Sequence, residues 1–116
     1  MSDIQQEEII LCGSSAYNKK FYLNERFAGL PEGIREDLKI MCVLYTEEIG
    51  GTFQMVFDED GQLMFRTDCN EGDYFYDEIG SALKIKQLQR DRQELLESLE
   101  MYYKVFFLGE EFTGEE

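Results

Sequence analysis

Two stretches of this chain carry residue types that could do chemistry. In DYFYDEIG, Asp73 and Asp77 stand four positions apart, with Glu78 beside the second. On a helix that spacing stacks two carboxylates on one face, where they could hold a hard cation such as magnesium or divide the roles of acid and base. Capping and dipole complementarity at the start of a helix explain the same three acids with nothing added. In CGSSAYNKK, a glycine-serine turn after a predicted strand brings Gly13, Ser14, Ser15 and Lys19 together and could cradle an anion. A Walker loop needs a second glycine just before the lysine and Ser or Thr after it. Asn18 and Lys20 occupy those places, which leaves an ordinary turn as the competing reading. Neither motif calls for a cofactor.

Much other chemistry is excluded by composition. The chain has no histidine, which removes the commonest general base and neutral metal ligand, and with them the usual Ser-His, Cys-His and zinc-hydrolase arrangements. Cys12, Cys42 and Cys69 are odd in number and lie far apart in sequence, so reduced, mostly buried thiols are expected rather than a disulfide or metal framework. Asp58-Glu59-Asp60-Gly61 invites a calcium reading. Aligning Gly61 with the sharp-turn glycine of an EF-hand loop, however, puts Val56 and Thr67 where carboxylates are required. A type I turn closed by a left-handed glycine fits instead.

Charge is the most distinctive feature. The 25 acids and 11 bases give a net charge of −14. Between Asp58 and Glu78, eight acids face Arg66 alone, and the tail GEEFTGEE adds four more. Such a surface repels nucleic acid phosphates and anionic lipid and favours basic partners, with Glu59, Asp60, Asp68 and Glu71 as the candidate contacts. Solubility alone would account for the same charge.

These groups must be positioned by a chain of 116 residues, one domain by length and large enough for an ordinary hydrophobic core. Residues 1–6 and 110–116 read as flexible tails. The acidic start MSDIQQEE has no apolar run, and no segment approaches a membrane span, so a soluble cytoplasmic protein is expected. EEIILCG and KKFYLN read as strands of one hairpin, TFQMVF and QLMFRTDC as strands of another. Between them, Pro31 and Glu32 open a helix that Gly50-Gly51 ends, with Ile34, Leu38, Met41, Cys42, Tyr45 and Ile49 on one face.

From Tyr74 to Leu108 only Gly80 interrupts a helical composition, and Asp73 is placed to cap it. A single helix there would run about 50 Å, against ~27 Å for twice the radius of gyration of a compact chain. It must bend or project. Ile85, Leu88, Arg92, Leu95, Leu99, Tyr102 and Phe106 form one seam, while Phe75, Ile79, Ala82 and Leu83 belong to another face, so near Leu83 to Ile85 the helix is expected to be either buried on two sides or kinked. KIKQLQRDR holds four of the 11 bases, but they are split around the helix, and a nucleic acid groove needs cations aligned. Arg92 interrupts the seam and is expected to snorkel or pair with a carboxylate. MYYKVFFL is too apolar to be exposed in a monomer. Core is its expected use, and a homodimer seam through Leu95, Leu99, Tyr102 and Phe106 is the alternative.

The stretches ILCGSSAYNKKFYLN, LPEGIREDLK, CVLYTEEIGG and YDEIGSALKIKQLQ resemble an uncharacterised bacterial family of short acidic proteins, a domain of unknown function. The resemblance spans about Glu8 to Gly109. It implies a bacterial cytoplasmic protein and no particular activity.

The expected fold is α+β: a four-stranded antiparallel sheet of two hairpins, one amphipathic helix between them and a long C-terminal helix. The expected function is a non-enzymatic interaction or regulatory module that offers an acidic surface to a basic protein partner. The alternative is a small-ligand or metal-dependent enzyme using Asp73, Asp77 and Glu78 or the Gly13–Ser15 turn.

Overall fold

The computed structural model describes residues 8–109, and the expected tails at 1–6 and 110–116 lie outside them. Strand β1 (Ile9–Ser15) is the spine of the sheet. It pairs antiparallel with β2 (Lys20–Leu23) on one side and β3 (Thr52–Phe57) on the other, and β4 (Leu63–Asp68) completes the order β2-β1-β3-β4. The fold is α+β with two antiparallel hairpins, as the sequence pattern predicts. Strand alternation sends Phe53, Met55 and Phe57 into the core, all fully buried. The turn between β3 and β4 has Gly61 at φ 87°, and the Asp58 carboxylate accepts from the amides of Asp60 and Gln62. That is the expected hairpin loop.

Helix α1 (Glu32–Glu48) lies on the core face, with Leu38, Met41, Cys42 and Tyr45 buried. Gly50 and Gly51 follow at φ 97° and 68°, a left-handed exit that only glycine takes without strain.

The C-terminal third is two helices, not one. Residues 74–77 are turn and extended chain, α2 spans Glu78–Asp91, and α3 spans Gln93–Phe106. The break falls at Arg92 (φ −116°, ψ 26°) rather than at Leu83–Ile85. No proline or glycine sits there. Hydrogen bonds from Arg92 N to Leu88 O (2.9 Å) and from Leu96 N to Arg92 O (3.0 Å) persist on both sides, so the bend sacrifices little.

What holds the bend is tertiary. Lys84 pairs with Glu48 at 3.1 Å and Arg92 with Asp37 at 3.2 Å, which pins α2 antiparallel along α1. The turn at Arg92 then brings α3 back across the sheet. Tyr103 stacks on Phe57 with ring centroids 4.2 Å apart, and Phe107 stacks on Phe27 at 4.7 Å. A straight helix would have carried these rings away from the sheet and left both surfaces in water.

Much of the expected seam faces the core on both sides of the bend: on α2, Leu88 is buried and Ile85 packs against the core. On α3, Leu99 and Tyr103 are buried, Leu95, Leu96 and Tyr102 pack partly buried against the core, and Phe106 is exposed. Among the described residues no helix is long and apolar enough to cross a membrane.

Candidate functional site

The expected anion turn is rearranged by the length of β1. Gly13 and Ser14 are strand residues, and the turn occupies residues 16–19. Tyr22 pairs with Gly13 across the hairpin. A Cβ on Gly13 would stand 2.8 Å from the Tyr22 hydroxyl and 2.9 Å from the Phe53 carbonyl, so this glycine makes room for close packing. Ser14 turns inward, and its Oγ donates to the Cys42 carbonyl at 2.7 Å and lies 3.2 Å from the Thr46 hydroxyl. Ser15 Oγ accepts from the amides of Tyr17 and Asn18 and so closes the turn. A second strand follows the turn instead of a helix, so the stacked amides of a phosphate loop do not form.

The carboxylates of DYFYDEIG do not stack. Asp73 lies in the loop before α2, where it accepts from the Tyr17 hydroxyl and from the Phe75 amide at 3.1 Å. Its carboxylate holds the Tyr17 phenol above its ordinary range, since ionising the phenol would forfeit that bond. Asp77, not Asp73, is the N-cap of α2, accepting from the Gly80 amide at 2.8 Å. Glu78 occupies the first turn. Among the described residues no group of three or more His, Cys, Asp or Glu comes together to hold a metal ion.

The acidic contacts also separate. Glu59 and Asp60 sit in the β3–β4 turn, whereas Asp68 and Glu71 lie at the other end of six-residue β4. That strand puts them roughly 20 Å apart, so they are two surfaces and not one. The basic island is largely neutralised. Lys84 and Arg92 pair as above, and Arg90 pairs with Asp91 at 3.2 Å.

Beneath the start of α2 is a hydroxyl cluster. Tyr45 Oη lies 2.6 Å from Ser81 Oγ and 3.1 Å from Tyr76 Oη, and Tyr76 Oη donates to Ser81 Oγ at 3.2 Å. Desolvation, opposed by the Ser81 hydrogen bond and reinforced by Tyr76, pushes the Tyr45 phenol up to about 12. These hydrogen bonds fasten the start of α2 to α1.

The feature that sequence reasoning did not single out as a site lies above this cluster. Tyr74, Phe75, Ile79 and Leu83 are 93%, 95%, 78% and 64% exposed. Four large apolar side chains within ten residues, on one loop and the half-helix that follows, are left to solvent. The signal was the phase change that sets Phe75, Ile79, Ala82 and Leu83 apart from Ile85 and Leu88. Periodicity showed a second apolar face but not that nothing in the described chain covers it. The rim is acidic: from Asp68 to Glu78 there are five carboxylates and no base.

No curated protein and no solved structure matches the chain. A family model described as "Family of unknown function (DUF6145)" matches residues 8–111, which takes in all of the described residues. The protein therefore belongs to this family of unknown function.

Proposed function

We propose that the protein is a non-enzymatic interaction module that takes a basic amphipathic segment of a partner protein onto the Tyr74, Phe75, Ile79 and Leu83 face. The observation that carries this reading is the near-complete exposure of Phe75 and Tyr74 beside Ile79. Exposed aromatic clusters rimmed by polar groups are the surfaces that partners desolvate, and aromatic anchors supply most of the binding energy there. The rim of Asp68, Glu71, Asp73, Asp77 and Glu78 chooses the sign of the partner's charge and speeds encounter. A second copy of this chain, itself at −14, would set carboxylates against carboxylates on that face, so the partner is a different and basic chain. The setting is a reducing cytoplasm, which suits buried Cys12 and Cys42 thiols standing 3.6 Å apart.

The test is fluorescence anisotropy with a labelled amphipathic Leu/Lys helix and its Leu/Glu counterpart. The wild type should bind the cationic peptide alone, and the Phe75→Ser/Ile79→Ser variant should lose at least about tenfold in affinity, since each truncated hot spot removes roughly 1.4 kcal/mol or more. Its melting temperature should stay unchanged. Equal binding by wild type and variant, or binding of neither peptide, would refute the proposal.

A further inference from the structure

A cavity of about 760 Å³ lies between α1 and the β1–β2 hairpin, and its lining includes Lys19, Lys20 and Lys39. Three lysines thus line one groove in a chain of net charge −14, against a single carboxylate-bearing residue, Glu47. Among the described residues none of the three is held by an ion pair, so all three charges are free to meet a ligand.

The hairpin reaches this arrangement at a conformational cost. Lys19 has φ 54°, and among the described residues no other residue except glycine has a positive φ. Left-handed backbone is uncommon for lysine, and such outliers concentrate at functional sites. In a regular strand, neighbouring side chains point to opposite faces. The left-handed residue breaks that alternation, and Lys19 and Lys20 both line the same cavity. Lys39 joins them from the exposed side of α1.

We propose that this groove binds a small phosphate ester of the nucleotide or sugar-phosphate class. The three lysines would meet the phosphates as point charges. Phe21 and Val43 supply an apolar wall for the organic part, and Glu47 is an acceptor for ligand hydroxyl groups. The groove is separate from the apolar face at the start of α2, so the two proposals stand or fall independently.

The test is calorimetric titration of the full chain with ADP and with inorganic pyrophosphate, without added metal. ADP should bind the wild type, Lys39→Glu and Lys19→Glu should each weaken it at least tenfold, and Lys86→Glu, an exposed charge outside the groove, should leave it unchanged. All three substitutions are at exposed positions, so melting temperatures should match the wild type and exclude misfolding as the cause. Absence of ADP binding overturns the proposal. So does a loss in Lys86→Glu equal to that in Lys39→Glu, which would mean that only overall charge is being read, or pyrophosphate binding more tightly than ADP, which would deny the organic part a role.

Discussion

Leu99→Ala and Phe106→Ala together test whether α3 serves its own core or another molecule. Both residues were candidates for one seam, yet Leu99 is 2% exposed and Phe106 is 71% exposed. Removing a buried leucine side chain loses its transfer free energy and leaves a cavity, about 2–5 kcal/mol together. Globular domains gain ~2.1 cal/mol/K of unfolding entropy per residue, so a chain of 116 residues should lose about 4 °C in Tm for each kcal/mol. Leu99→Ala should therefore melt about 8–20 °C lower. Phe106 keeps one ring contact, with Tyr102 at 4.8 Å, and its truncation should cost below about 1 kcal/mol, or roughly 4 °C. Calorimetry over a tenfold range of protein concentration completes the test, because a fold that depends on dimerisation melts higher when more concentrated. Equal losses in the two variants, or a Tm that climbs with concentration, would refute the reasoning and return the α3 stripe to an interface between copies.

Two further predictions concern the backbone and the thiols. Gly51→Ala should destabilise by about 2–5 kcal/mol in urea titration, because at φ 68° its Cβ would overlap the Asp68 carbonyl and stand 2.7 Å from the Tyr76 ring. Gly72→Ala, at φ 83° with open space around it, should lose only the backbone share, roughly 1–2 kcal/mol; equal losses would show that the crowding at Gly51 is illusory. Thiol labelling of the native protein should modify Cys69 alone, because Cys12 and Cys42 are fully buried. The hydrogen bond with Cys42 and burial also hold the Cys12 thiol far above its ordinary range. Desolvation and then the carboxylates of Asp73, Asp68 and Glu78 push the Cys69 thiol up as well. Labelling at neutral pH should thus be slower than for a free cysteine and should rise about tenfold per pH unit while the thiol remains mostly protonated. Rapid labelling of Cys12 or Cys42 at pH 7 would contradict the packing of β1 against α1.

Local pattern in the sequence determined the elements that bury one face and end on glycine. Alternation in TFQMVF chose Phe53, Met55 and Phe57 for the core. The left-handed requirement at Gly61 fixed the second hairpin, and the spacing from Leu38 to Ile49 fixed the buried face of α1. These follow from period and backbone sterics within a few residues, which a sequence displays directly. The site residues were less legible because their roles depend on what faces them. Asp73 and Asp77 have helical spacing, but Tyr17 from the first hairpin holds Asp73 in a loop and leaves Asp77 to cap α2. The bend at Arg92 has no local mark. It forms because Asp37 lies across from it and because Tyr103 and Phe107 gain more against Phe57 and Phe27 than a straight helix could give them. That bend lays Leu99 against the core and leaves Phe106, near the end of α3, exposed. The same physics leaves Tyr74, Phe75, Ile79 and Leu83 uncovered: burial is a property of the neighbour, and only the tertiary structure says which apolar face has one.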